Sequence, residues 1–270
     1  MTAVSATRIN PPGIARWGAI TSAVLGVALF AGVARAQADD AIPILKSMTD
    51  YVAKQQIISA TFDTDIEVIT PELQKIQFAS SSQLMLGRPD KLRVHRTGGY
   101  ADVELSFDGK KLSVYGKNLN AYAQAEFPGT VDQLVSKLRS DFGVDAPGAD
   151  LLLTRSFDEL TSDVIDARHI GLGVIDGIEC QHLAFRGSET DWQIWIEAGP
   201  NPIPRKYVIT SKTMTGGPQY TLRIKDWKTN VQLAADAFTL KPAADAKMVD
   251  ISKLSGIDEV PAGVPAGVKK

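Results

Sequence analysis

The chain has 270 residues, of which 44% are hydrophobic and 22% are charged, with 29 basic against 31 acidic residues. This composition is sufficient for one large apolar core, and the absence of excess positive charge argues against nucleic acid or anionic lipid as an electrostatic partner. A single cysteine, Cys180, excludes an intramolecular disulfide framework.

The N-terminus has the pattern of a secretory signal peptide. Arg8 and Arg16 precede an uncharged run over residues 17–34, and Ala34-Arg35-Ala36 fits the small-residue rule of signal peptidase. The run is also just long enough to serve as a membrane anchor. Because it is rich in alanine and glycine and ends in small residues, we favour cleavage of residues 1–36 and export to the periplasm as a soluble protein. The mature net charge is then −5, since three arginines and no acidic residue are lost.

The mature chain begins with a helical pattern and continues as a long strand meander. Apolar residues at helical spacing predict a first helix over residues 40–55. Strict alternation over residues 58–68 predicts a strand, and a second alternating run up to Leu86 is expected to pair with it as a hairpin. Shorter alternating runs follow at 92–97, 101–107, 111–115, 121–126, 168–175, 178–186, 192–197, 206–211 and 220–227. The pattern indicates about eleven antiparallel strands.

A helical insertion interrupts the meander at about residues 130–162. Thr130-x-x-Gln133 and Ser156-x-x-Glu159 have the form of capping boxes, which predicts a helix start at each. The apolar stripe of the first of these helices consists of Val131, Leu134, Val135, Leu138 and Phe142. Because an antiparallel sheet with one apolar face must cover that face, we expect the helices to lie on it.

The predicted fold is therefore α+β. Residues 37–254 are expected to form a single domain, an unclosed half-barrel of about eleven antiparallel strands with helices covering its concave face. Residues 255–270, which are rich in proline, glycine and valine, are expected to form a disordered tail.

The sequence contains no motif that indicates catalysis or metal binding. His95, His169 and His182 fall in separate predicted strands, and HExxH, CxxC and G-x-S-x-G are all absent. His182 follows Cys180 by two residues on the same strand face, which is the closest approach to a nucleophile with a base. We therefore expect no metal, no cofactor and no enzymatic activity, with an envelope hydrolase as the least favoured alternative.

Three motifs in order resemble the LolA/LolB-like periplasmic lipoprotein carriers. Arg88-Pro89 ends a predicted strand, Asp108-Gly109-Lys110 forms a turn before an apolar strand, and Phe238-x-x-x-Pro242 closes the domain. The segments DVELSFDGKKLSVY and DWQIWIEAGPNPIPRKYVIT are most similar to a family of predicted periplasmic proteins without an assigned function. The resemblance implies an unclosed barrel with helices as a lid over an apolar cavity for acyl chains.

The resemblance also implies a role for Arg88, which by motif position holds the lid shut in the unloaded state. The alternative is a strand-end arginine that only extends to water. The cavity wall is expected to consist of Ile66, Val68, Phe78, Leu84, Leu86, Val94, Leu105, Phe107, Trp192, Ile194 and Ile196, with Arg88 as a further ligand-site residue. The lid is expected to consist of Leu134, Leu138 and Phe142.

Two functions from different classes are compatible with these expectations. The first is a monomeric periplasmic carrier or sensor that binds a lipid or the acylated end of a lipoprotein. The second is a non-enzymatic envelope interaction or regulatory protein whose cavity is filled by its own helices. Trp195 faces away from the wall by strand parity, so we expect it to contact an envelope protein partner.

Overall fold

The computed structural model describes residues 40–142, 146–254, 256–261 and 263–264, which belong to one unit of tertiary contacts, Ala34–Lys270. The predicted signal peptide, the side chain of Phe142 and half of the predicted tail lie outside the described residues. The α-helices are α1 (Ala41–Lys54), α2 (Val131–Phe142) and α3 (Ser156–Thr161), and short 3₁₀ turns occur at Lys117–Leu119, Ala149–Leu152 and Ile251–Lys253. None of the described helices has the length and hydropathy needed to cross a membrane.

All strands belong to one sheet. They are β1 (Ile57–Ile69), β2 (Lys75–Gly87), β3 (Lys91–Gly98), β4 (Asp102–Phe107), β5 (Lys111–Gly116), β6 (Ala121–Glu126), β7 (Asp166–Ile175), β8 (Ile178–Arg186), β9 (Thr190–Glu197), β10 (Pro204–Ser211), β11 (Gln219–Thr229) and β12 (Lys247–Met248). Their order is β12-β6-β5-β4-β3-β2-β1-β11-β10-β9-β8-β7. Every pair is antiparallel except β12 with β6. Since β7 and β12 are at opposite ends and do not pair in the described chain, the sheet is open.

The helices pack on one face of this sheet, which we call the inner face. Buried side chains of α1, α2 and α3, among them Leu45, Leu134 and Leu160, form one apolar core with the sheet residues Leu86 and Ile194. The expected α+β fold is thereby confirmed, including the antiparallel meander of eleven strands and the helices over one face. The additional strand β12 has only two residues, too few to show a periodicity in sequence.

The two predicted capping boxes have different outcomes. At the start of α2 the box is present, because the Thr130 amide donates to Gln133 Oε1 (2.9 Å) and the Gln133 amide donates to Thr130 Oγ1 (3.3 Å). At α3 the prediction is wrong, since the N-cap residue is Arg155 and Ser156 already lies inside the helix. Ser156 is 1% exposed, and its hydroxyl has no partner among the described residues. Packing against the core has taken precedence over capping.

The chain after β11 wraps around the sheet. It crosses the outer face, where Arg93 and Ser106 donate hydrogen bonds to the carbonyls of Ala237 and Phe238. It then extends the β6 edge as β12 and returns over the inner face, where Ile257 packs against the core. The disordered tail predicted from residue 255 stays a prediction, although within it the partly buried Ile257 packs against the core.

Candidate ligand site on the inner face

The strand register places every apolar residue of the predicted wall on the inner face. Residues directly opposite each other in neighbouring strands share a face. Ile66 is opposite Phe78, Leu84 is opposite Val94, and Val94 is opposite Leu105. Through β11 and β10 the same face continues to β9, where Trp192 is opposite Ile209. The structure thus brings the predicted wall together on one surface.

Most of this wall is covered by helices, and we call that part the helix section. Its fully or almost fully buried residues are Leu84, Leu86, Phe107, Trp192, Ile194 and Ile196. Leu134 of the predicted lid is buried and Leu138 packs against the same core, as do the partly buried Val94 and Leu105. In the helix section, side chains of the helices pack in one core with the wall residues, and the cavity expected there stays a prediction.

A second part of the wall is left partly exposed, and we call it the distal section. It consists of Ile66 and Val68 of β1 with their opposite partners Phe78 and Ile76 of β2. The Phe78 ring makes an edge contact with Tyr100, with 5.6 Å between the ring centroids. The inner face therefore ends in an apolar surface that the helices do not reach.

Arg88 connects the helical cover to the sheet. Its Nε donates to the Gln55 carbonyl at the end of α1 (3.1 Å), and its Nη2 donates to the Leu152 carbonyl before α3 (2.7 Å). Burial lowers the pKa of the Arg88 guanidinium, and the negative charge of Asp132 opposes this shift. These contacts agree with the role of a latch between two helical segments and disagree with a side chain that only extends to water.

Between the two sections runs a row of inward-facing polar residues that the sequence analysis missed. Thr64, Ser80 and Ser82 are buried, and the hydroxyls of Thr64 and Ser80 are 2.6 Å apart. Arg96 of β3 is opposite Ser82 and belongs to the same row. A signal for Arg96 was present in the sequence, because it has the strand parity of the apolar residue Val94.

Residues 256–261, which we call the strap, cover this polar row. Arg96 donates to the Ile257 carbonyl, and its Nη1 lies 3.4 Å from Glu259 Oε1. Ser80 Oγ is 3.5 Å from the same carboxylate oxygen. Ile257 lies directly over Gly116, where an added Cβ would come within 3.3 Å of its Cγ2. Burial, followed by the charge of Glu259, raises the pKa of the nearby Tyr220 well above its ordinary value.

A family model described as "Predicted periplasmic protein (DUF2092)" matches residues 41–252. The chain belongs to this family. The match confirms the resemblance to a predicted periplasmic family that the two sequence segments indicated, and the open sheet with helices on one face is the fold that the LolA/LolB-like motifs implied.

Solved structures resemble this DUF2092 protein at low identity. An uncharacterized conserved protein from Thermus thermophilus is 13% identical, with 77% of this chain and 97% of that chain covered and a TM-score of 0.44. The lipoprotein LppX from Mycobacterium tuberculosis is 12% identical, with coverage of 72% and 97% and a TM-score of 0.40. A chain of the Pseudomonas aeruginosa MucA/MucB complex is 14% identical, with coverage of 75% and 61% and a TM-score of 0.42. No curated protein matches the sequence significantly.

On the outer face, Trp195 is embedded among neighbouring side chains. Its ring stacks on His182 at a centroid distance of 4.0 Å and an angle of 12°, and Lys206 Nζ lies 5.0 Å from the ring centroid. The indole also lies over Gly173, where an added Cβ would come within 3.2 Å of it. Trp195 therefore faces outward as its parity predicted, but it is half-buried, and its role in partner contact stays a prediction.

The titratable residues of this DUF2092 protein that could suggest catalysis have structural partners. Burial raises the pKa of the Cys180 thiol, which disfavours the thiolate that a nucleophile requires. Burial lowers the pKa of His182, whose Nε2 lies 3.0 Å from Gln193 Oε1. His169 Nε2 lies 2.7 Å from Gln181 Oε1, and His95 Nε2 lies 2.7 Å from Asp102 Oδ1. The described residues contain no group of three histidine, cysteine or acidic side chains arranged to hold a metal ion.

Two clefts open on the surface of the described chain. One, of about 260 Å³, lies at the turn between β7 and β8 next to Arg205, and the other, of about 630 Å³, lies beside α2. Neither is lined by a residue of the predicted wall or lid. Within the predicted wall, the apolar side chains that stay partly exposed beyond the helices are those of the distal section.

Proposed function

We propose that this protein is exported by its signal peptide and binds the acyl chain of a lipid or of a lipoprotein on the inner face of its sheet. It acts as a periplasmic carrier or sensor and not as an enzyme. The supporting observation is the distal section, where Ile66, Val68, Ile76 and Phe78 stay partly exposed although the rest of the face is covered. Clustered apolar side chains left uncovered in this way are typical of ligand or partner sites.

The energetics of acyl binding are compatible with this surface. Burial of one methylene group is worth about 0.8 kcal/mol, so a long acyl chain offers roughly 10 kcal/mol before the costs of ordering. A net gain of about 8 kcal/mol corresponds to micromolar affinity. The distal section alone covers only part of such a chain, so full affinity requires the strap or a helix to move.

The alternative function is a non-enzymatic interaction protein of the cell envelope. It is supported by the complete burial of Leu86, Phe107 and Ile194 beneath the helices, which gives the fold a solid core in place of a cavity. In that case the distal section and the half-buried Trp195 are candidate contact surfaces for a protein partner.

Native mass spectrometry can separate the two functions. The full chain, exported with its own N-terminus and purified without detergent, is expected to carry a lipid or to take up a fluorescent fatty acid with a stoichiometry of one. N-terminal sequencing of the same sample is expected to begin at Gln37. Repeated absence of both lipid and uptake would remove the carrier function and leave the interaction protein.

A matched pair of variants locates the site. Phe78→Ser removes an aromatic side chain from the distal section and is expected to weaken fatty acid binding about tenfold or more, because its burial by the ligand is lost. Gln77→Ser changes the exposed neighbour on the opposite face of β2 and is expected to leave affinity unchanged. Equal effects of the two substitutions would place the site elsewhere.

A further inference from the structure

Arg96 is a cation on the inner face, and among the described residues both of its partners belong to the strap. These partners are the Ile257 carbonyl and the Glu259 carboxylate. Its neighbours in the polar row, Ser80 and Ser82, carry no charge. A charge that is largely removed from water requires an opposite charge nearby. The tail of the chain supplies that anion.

The strap is held weakly in comparison with the segment that precedes it. Residues 247–249 are fixed to the β6 edge by backbone hydrogen bonds, from the Lys247 amide to Asn120 and from the Val249 amide to Tyr122, both 2.9 Å. Within the described residues, no backbone hydrogen bond joins residues 256–261 to the sheet. The contacts of Glu259, at 3.4 and 3.5 Å, are long for a carboxylate. The strap can therefore leave the inner face while β12 stays in place.

We propose that Arg96 and Ser80 form a head-group site for a single-chain ligand with a carboxylate, such as a fatty acid, and that Glu259 is its intramolecular substitute. The ligand carboxylate replaces that of Glu259, and the strap moves away from the polar row. This inference rests on the proposed acyl binding. It names the ligand class that the inner face selects.

The positions of the polar and apolar residues along the strands fit such a ligand. Ile66 and Phe78 lie two residues beyond Thr64 and Ser80 in the paired strands, and Val68 and Ile76 lie four residues beyond. At a rise of about 3.3 Å per residue, these pairs are roughly 7 and 13 Å from the polar row. A carboxylate bound at Arg96 therefore directs its acyl chain along the distal section.

The single positive charge determines the kind of head group. In the polar row, Arg96 is opposed by uncharged hydroxyls, so a monoanion neutralises the site. Ser80 can donate its hydroxyl to the second carboxylate oxygen while Thr64, 2.6 Å away, holds it in place. A dianionic phosphate monoester would leave one charge without a partner in a poorly hydrated site.

Calorimetry with three probes tests the head-group site in the full mature chain. Palmitate is expected to bind, hexadecanol to bind about tenfold more weakly, and acetate to show no binding. Arg96→Gln is expected to lower the affinity for palmitate about tenfold and to change the affinity for hexadecanol less than twofold. Only palmitate has a carboxylate, so only its complex loses a charge-assisted hydrogen bond. Lys91→Gln, an exposed position on the same strand, is the matched control and is expected to change neither affinity.

Two further variants keep the test independent of the folding of Arg96→Gln. Ser80→Ala removes the second donor without changing charge and is expected to weaken palmitate about threefold. Glu259→Gln removes the competing carboxylate and is expected to strengthen palmitate about fivefold, whereas Asp258→Asn on the exposed side of the strap has no effect. In limited proteolysis with a glutamate-specific protease, palmitate but not hexadecanol is expected to accelerate cleavage after Glu259.

The outcomes distinguish the head-group site from acyl binding itself. Equal affinities for palmitate and hexadecanol, unaffected by Arg96→Gln and Ser80→Ala, would overturn the head-group site and leave acyl binding intact. Tight binding of acetate alone would overturn the fatty acid as the ligand class. If neither long-chain probe binds to the wild type or to Glu259→Gln, acyl binding fails and the head-group site fails with it.

Discussion

The helix section and the polar row beneath the strap lie on the same face of one sheet, yet they are closed by different physical means. In the helix section the buried apolar side chains of α1, α2 and α3 meet apolar residues of the sheet, such as Phe107 and Ile194. In the strap-covered row the residues are polar, and the cover is one short segment whose charge pairs with Arg96. The first closure depends on burial of apolar area and the second on electrostatic complementarity.

The difference begins in the sequence of β2. Its inward positions are Leu84 and Leu86 on the helix side, and they change to Ser80 and Ser82 before apolar residues return at Phe78. An apolar surface gains most from permanent dry packing, whereas a polar surface with a cation can exchange one anion for another at little cost. A single face can in this way combine a stable core with the exchangeable site that we propose.

The largest expected effect tests the helix section as core. Phe107→Ala removes a fully buried ring that lies 5.7 Å from the ring of Phe127, and it is expected to lower the free energy of unfolding by about 3–5 kcal/mol in urea titration. Tyr100→Ala, in an aromatic residue that is 59% exposed beside the distal section, is the control and is expected to cost less than about 1 kcal/mol. Similar decreases in the free energy of unfolding for both variants would contradict the division of the inner face into a buried helix section and a partly exposed distal section.

An intermediate effect is expected for the latch between the helices and the sheet. Arg88→Ala leaves the carbonyls of Gln55 and Leu152 without their charged donor and is expected to lower the free energy of unfolding by about 2 kcal/mol. Hydrogen exchange should accelerate in the last turn of α1. The control is Arg168→Ala. Because the Arg168 side chain is 66% exposed, this substitution is expected to lower the free energy of unfolding by less than about 0.5 kcal/mol. An unchanged exchange rate in α1 would show that Arg88 is not a latch.

Much of this architecture could be predicted from alternation and helical spacing. The alternating runs, longest in β1 and β2, predicted both the strands and the face of each wall residue, because the side-chain period of a strand is two. The capping box at Thr130 predicted the start of α2 for a similarly local reason. These features depend on neighbours in sequence, so the sequence was sufficient to predict them.

Other features depend on contacts that are distant in the chain. Alternation shows that Phe107 and Phe78 face inward, but it does not show that helices bury the first and leave the second partly exposed. The inward position of Arg96 was available from parity, whereas its pairing with Glu259 joins residues far apart in sequence. A tail with the composition of a disordered segment could not be predicted to find that partner.

The smallest effect is expected from removal of the strap. Truncation from residue 256 onward is expected to lower the free energy of unfolding by about 1 kcal/mol, because it exposes the partly buried Ile257 and unpairs Arg96, which then reaches water. Truncation from residue 265 onward leaves Glu259 in place and is the control, with no expected change. A loss of about 3 kcal/mol or more on removal of the strap would class it with the helices as core. A loss near 1 kcal/mol means that a ligand can displace it with a small fraction of the roughly 10 kcal/mol that an acyl chain provides.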